Sequence, residues 1–190
     1  MLRTTAAAAA LALVALPVLA EPQAYVIDSA HSDIMASWSH LGFSTTRAMI
    51  YDVQGEIMFD PEAPETSSVN VTLPVKSIVV TPEFNDHLLE SGDFFPPQEP
   101  DPITFTSTSI EVTGEDTANI TGDLTMNGVT NEVVLDTTLN KMGAGPQGGT
   151  IAGFTATTSI DRTAFGLDLL APFVGADVAV EIQIEASPAS

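Results

Sequence analysis

Gly122-Asp123-Leu124-Thr125-Met126-Asn127-Gly128-Val129-Thr130 reads as a strand that runs into a two-residue turn and starts back. Asn-Gly is the strongest short hairpin signal, because both central residues of such a turn must accept positive φ. Working outward, Ile120, Gly122 and Leu124 alternate with Thr121, Asp123 and Thr125, and past the turn Val133 and Leu135 alternate with Val134 and Asp136. The same period of two continues in both directions. Ile34, Ala36 and Trp38 share one face; so do Val69, Val71, Leu73 and Val75; Ile103 and Phe105; Ile110 and Val112; and Val178, Val180, Ile182 and Ile184. Strands with one apolar and one wet face carry this pattern. About eight of them in one domain make an all-β chain, a closed barrel or a sandwich.

Two segments interrupt the rhythm. Residues 82–95 start on Pro82 and carry Leu88 and Leu89 as anchors, which predicts a short helix ending near Ser91-Gly92. The Pro-rich run that follows, 96–102, is excluded from a central strand. Residues 143–149 are Gly-rich and predict a flexible hairpin tip or loop.

The first twenty residues stand apart. Arg3 is their only charge, an apolar run spans 6–19, and Val18-Leu19-Ala20 fits a cleavage site. The expectation is an export signal over residues 1–20 and one domain over 21–190, with no integral membrane span. The chain has no cysteine, which removes disulfides and thiolate chemistry. Its net charge of −20 repels phosphate backbones, so nucleic acid is excluded as a partner.

Catalytic patterns are absent. His31 and His40 lie nine residues apart with no close histidine pair, which fits no compact metal motif, so neither a metal nor a cofactor is expected. Glu90-Ser91-Gly92-Asp93 lacks the first glycine of a nucleophile elbow. Large apolar side chains are plentiful instead: Ile34, Trp38, Phe43, Ile50, Phe105, Phe154, Phe165, Leu167 and Phe173. Pattern leaves two readings open, a solid core or the lining of an elongated dry cavity.

The order of short motifs adds a further indication. Tyr25-Val26-Ile27-Asp28, His31-Ser32 and His40 come first, then Gly55 to Asp60 with Pro61, and Ser77-Ile78. Asp86 to Phe95, Pro102 to Thr108, Gly122 to Thr125 with Gly128-Val129-Thr130, Asp161-Arg162 and Phe165-Gly166 follow. Over about residues 24–186 the chain resembles the YceI-like family. It departs from that family's pattern at Asn85, Leu88, Val80 and Ala48-Met49-Ile50.

The resemblance implies an extended lipocalin-like antiparallel β-barrel, closed at one end by a helix, which carries a long apolar ligand and is not an enzyme. By that reading Ile34, Trp38, Phe43, Ile50, Phe105, Phe154, Phe165 and Leu167 line the pocket. His31, His40 and Arg162 form a polar mouth. The implied partner is an isoprenoid or other long-chain lipid, a quinone or polyprenyl phosphate, bound in the periplasm; a homodimer is left open. The alternatives are an interaction module built on a solid barrel, and an enzyme acting on a hydrophobic substrate with a histidine as acid or base.

Overall fold

In a computed structural model, residues 21–97, 100–146 and 148–189 are described, and the expected export signal lies outside them. The alternation after Pro22 becomes strands β1 (Gln23–Ile27), β2 (Asp33–His40), β3 (Ser44–Ile50), β4 (Gln54–Phe59), β5 (Ser68–Leu73) and β6 (Ile78–Val79). Helix α1 (Pro82–Glu90) follows, then β7 (Ile103–Val112), β8 (Thr117–Met126), β9 (Val129–Ala144), β10 (Thr150–Asp161) and β11 (Asp177–Pro188). Every pairing is antiparallel, in the order β1-β4-β5-β7-β8-β9-β10-β11, and β11 pairs back to β1. The result is a closed eight-stranded barrel with one helix, and of the two architectures the periodicity allowed it is the barrel.

Closure depends on one long strand serving two short ones. β11 pairs with β2 through Ala179–Gln183 and with β1 through Ala186–Pro188. β1 and β2 are therefore two lengths of one stave, interrupted at residues 28–32. β3 and β4 are likewise interrupted at 51–53, and β5 and β6 at 74–77. The interruptions are lateral neighbours, since Ile34 faces Ile50, Ile50 faces Ile78, and the Tyr51 amide donates to the Ser77 carbonyl. β7 to β11 are unbroken.

The decisive hairpin forms as read. Asn127 and Gly128 have φ of 53° and 74°, which suits the two-residue turn between Met126 and Val129. The Asn127 side chain then donates to the Phe165 carbonyl at 3.2 Å, tying the turn to the loop after β10. A bulge in β7 explains why its inward residues change parity, from Ile103 and Phe105 to Ile110 and Val112. The register against β8 slips between Ser107 and Ser109. Ser107 Oγ uses the irregularity to accept the Val69 amide at 2.9 Å. Gly122, paired with Ser107, is needed for space beside the Phe105 ring: a Cβ there would stand 2.4 Å from Phe105 Cζ.

α1 begins where expected. Thr81 is its N-cap residue, Pro82 fills the first turn, and the Phe84 and Asn85 amides close onto the Thr81 carbonyl. Its inner face places Leu88 in the core and Phe84 against Trp38, ring centroids 6.3 Å apart. Phe94, past the helix end, meets Phe84 edge-on at 5.9 Å. Because β6 is so short, no strand among the described residues fills the wall between it and β7, and α1 lies in the chain between them at that end.

Candidate functional site

The barrel interior is not filled. It encloses a cavity of about 360 Å³, within the roughly 300–1,000 Å³ range of small-molecule sites. Inward-facing residues of every stave line it, among them Ile57 of β4, Leu73 of β5, Leu124 of β8, Leu135 of β9, Ile160 of β10 and Ile182 of β11. Thr117 and Met126, at opposite ends of β8, both line it. It thus follows roughly 30 Å of strand at ~3.3 Å per residue. With the ~40° strand tilt of a closed barrel, that is about 23 Å along the axis. So small a volume spread over that length describes a tube rather than a bowl.

Polar groups are confined to few places on its wall. At the end formed by the β7–β8 turn stand Glu115 and Asp116, both exposed, together with Thr117 and with Ser67 from the segment before β5. The opposite end is closed by Trp38, Phe84, Phe94 and Phe95, with Leu88 beneath them. Thr137 lies one rung from Thr117 at the polar end, and elsewhere on the lining the polar side chains are Thr158 and, at the helix end, Arg162. An apolar tube of this kind holds water poorly, because few polar partners are available to it.

Most of the apolar residues expected to line a pocket do so: Ile34, Trp38, Ile50, Phe105, Phe154 and Leu167. Phe165 is 2 % exposed and belongs to the packed core beside the cavity, outside its lining. Phe43 and Phe173 depart from the expectation altogether. Phe43 sits on the β2–β3 tip, 91 % exposed, and Phe173 on the β10–β11 loop, 70 % exposed. Neither belongs to a strand, so the alternation that would turn a phenylalanine inward does not act on them. Phe84, Phe94 and Phe95 were missed as lining residues. Phe84 and Leu88, at i and i+4 on the predicted helix, were the available signal.

The three polar candidates do not form one mouth. Nine residues of nearly extended chain separate His31 from His40, roughly 30 Å at ~3.3 Å per residue. His31 lies on the outer wall, in the interruption between β1 and β2, where its Nδ1 is 2.8 Å from Asp28 Oδ2. That hydrogen bond raises the His31 pKa above its ordinary value and lowers that of Asp28. Glu185 completes the group, with one donor atom from each residue within 4.8 Å of the others; none of the three lines the cavity, which their chain neighbours Ile27 and Ile184 do. His40 ends β2 at the helix end of the barrel, bridged to Val174.

Arg162 is buried, 7 % exposed, at the start of a 3₁₀ turn (Arg162–Phe165). Its Nε donates to the Gly175 carbonyl at 3.0 Å, and one terminal nitrogen to the carbonyls of Leu169 and Val174 at 3.0 and 2.9 Å. The other terminal nitrogen donates to the Leu167 carbonyl. Burial pushes its pKa down, opposed by the fields of Asp168 and Asp161. The side chain touches the cavity, but its donors are committed to the chain between β10 and β11. It is the internal peg of that loop.

At the other end of the barrel Asp60 is also buried. Its Oδ1 accepts the Glu62 and Ala63 amides at 2.9 and 3.3 Å, which shapes the turn after β4.

A closed antiparallel barrel around an apolar tube, stopped at one end by a helix, defines a class of small internally cavitied β-barrels. The chain belongs to the YceI-like domain family, whose profile matches residues 25–186. A "UPF0312 protein" of Pseudomonas savastanoi pv. phaseolicola is 37 % identical over 145 residues, covering 75 % of this chain and 76 % of that one. A second, from Ectopseudomonas mendocina, is 39 % identical over the same length and coverage.

Among solved structures, BcnA of Burkholderia cenocepacia superposes with a TM-score of 0.76 at 23 % identity, over 85 % of this chain and 99 % of that one. The YCEI protein of Campylobacter jejuni gives 0.72 at 26 % identity, over 80 % and 90 %. A domain of Saccharophagus degradans described as polyisoprenoid-binding gives 0.60 at 14 % identity, over 88 % and 99 %, a likeness of fold.

Proposed function

We propose that this protein is a periplasmic carrier that sequesters or transports a long isoprenoid lipid in its barrel interior, and that it binds without catalysing a reaction. The observation that carries the reading is the tube itself, narrow, about 23 Å long by strand geometry and lined by hydrocarbon. Burying a methylene is worth about 0.8 kcal/mol, so several isoprene units offset the cost of association without a catalytic or ionic contact. The Saccharophagus degradans domain described as polyisoprenoid-binding supports the ligand class. The export-like segment 1–20 supports the compartment.

The polar end of the tube favours one of the two lipid classes. Glu115 and Asp116 stand there, and among the described residues the one guanidinium on the lining, Arg162, donates to four backbone carbonyls elsewhere. A phosphate headgroup would meet like charge, whereas a quinone would not. We therefore favour a neutral, quinone-class headgroup.

Trp38 provides the test, because it is the only tryptophan of the chain and lines the tube beside α1. Titrating delipidated protein with a short-chain ubiquinone should quench its fluorescence saturably at one ligand per chain, with farnesyl phosphate binding more weakly. A flat titration with both ligands, together with a lipid-free mass for protein isolated from its host, would sink the carrier reading in favour of an interaction module.

A further inference from the structure

The two most exposed large apolar side chains among the described residues, Phe43 and Phe173, lie at the same end of the barrel. Leu41 and Leu170, 50 % and 57 % exposed, accompany them on the same two segments. The backbone holds these segments side by side: the Leu41 amide donates to the Phe173 carbonyl at 3.2 Å, and the Gly175 amide to Ser39 at 2.8 Å. Isolated surface apolar residues need no explanation, but a contiguous group does.

Two further observations say what would cover this group. Residues 39–46 and 169–176 contain no Asp, Glu, Lys or Arg, in a chain with 25 acidic residues. The two tips are thus apolar and uncharged, flanked by the exposed Arg47, Asp168 and Asp177, in a strongly anionic molecule. Moreover, Leu41 and Leu170 both have left-handed backbones, φ 55° and 58°. Leucine rarely adopts that conformation, and strain of this kind persists where the surrounding structure imposes it. Here Arg162 imposes it on one side, by fixing the carbonyls on either flank of Leu170 and Phe173.

The patch is also continuous with the cavity. Val174 lines the tube and bridges His40, and Trp38 lies two residues before that bridge. Whatever seats on Phe43 and Phe173 stands next to the helix-closed end.

We propose that the Leu41–Phe43 tip and the Leu170–Phe173 loop form a docking surface for the interface of an electrically neutral lipid bilayer, at which the tube exchanges its lipid. The proposal rests on the carrier reading, since the cavity gives the docking its purpose. An uncharged apolar rim suits a zwitterionic surface, and the protein's net charge of −20 opposes an anionic one.

Flotation with phosphatidylcholine vesicles tests it, using full-length mature protein. Wild-type protein should float with the vesicles, and less so as phosphatidylglycerol is added. The double variant Phe43→Ser/Phe173→Ser should lose about tenfold or more in partitioning, since it removes two large anchors. Val26→Ser, an exposed substitution on β1, should change nothing. The single variant Phe43→Ser guards against misfolding, because a side chain 91 % exposed contributes little to the core.

Wild-type protein that stays in solution, or flotation that survives the double substitution, overturns the proposal. So does a double variant that converts a sedimenting dimer into a monomer without altering flotation; the patch is then a contact between copies. A Trp38 titration with short-chain ubiquinone, run without vesicles, separates the two failures. A retained titration with no flotation condemns the docking surface alone, and a lost titration in wild-type protein condemns the carrier reading.

Discussion

Replacing Arg162 with Met removes four donated hydrogen bonds while keeping much of the side-chain bulk. A carbonyl that loses its donor forfeits about 1 kcal/mol where water takes the place, and up to about 3 kcal/mol where it cannot. Leu167 is buried, whereas Leu169, Val174 and Gly175 are half-buried and partly within reach of water. Release of the guanidinium from its desolvated position offsets some of the loss. The balance is about 3–5 kcal/mol, carried by the carbonyls left without donors. At about 2–4 °C per kcal/mol for a domain of this size, the melting temperature should fall by roughly 6–20 °C.

Thermal unfolding followed by circular dichroism measures this directly. Arg162→Lys should recover only part of the loss, since three donors at one point cannot reach four carbonyls spread around a planar fork. A Met variant melting within about 3 °C of wild type, or a Lys variant equal to wild type, would refute the peg and the arithmetic together.

Gly122→Ala should destabilise by about 1–3 kcal/mol in urea unfolding, because its Cβ would press on the Phe105 ring and the Thr106 carbonyl. Ala156→Phe projects a ring into the tube from β10 and should weaken ubiquinone binding about tenfold or more by Trp38 fluorescence, with folding retained. His31 should titrate above 6.5 by NMR, and Asp28→Asn should lower its pKa, leaving the smaller upward pull of Glu185. The pair's contribution is lost as pH rises through the raised His31 pKa, and lost again as pH falls through the lowered Asp28 pKa, so it is present between pH 3.8 and 6.5. Amides flanking the interruptions at 28–32, 51–53 and 74–77 should exchange with deuterium sooner than those inside β8 to β10.

The barrel was legible where local chemistry and tertiary role agree. Asn127-Gly128 admits few conformations other than the turn it makes. The parity change between Phe105 and Ile110 recorded the β7 bulge, and Pro82 marked the first turn of α1. The site was less legible, because facing inward in a strand and being apolar are different properties. Phe43 and Phe173 are as apolar as Phe105, yet they lie in connections where no alternation constrains them. Arg162 was visible as an uncommon cation, but its role is written in the carbonyl positions of a loop, which sequence does not display. Glu185 could not be matched to Asp28 and His31 from spacing, because the pairing of β1 with β11 brings them together.

The aligned interruptions of three neighbouring staves have a mechanical consequence. A continuous hydrogen-bonded cylinder resists bending because any fold in the wall must break rungs on both sides. Here the regular ladder thins along one line crossing three of the eight staves, leaving backbone bonds such as Asp28 to Glu185 and Tyr51 to Ser77, while the other five staves run through. That line is a crease. Beyond it β2, β3, β6 and α1 form one end of the wall, held to β11 through β2 and carrying both Trp38 and the Phe43 tip. The wall is therefore braced unevenly around its circumference, and the side with fewer regular rungs is the one that bears the stopper.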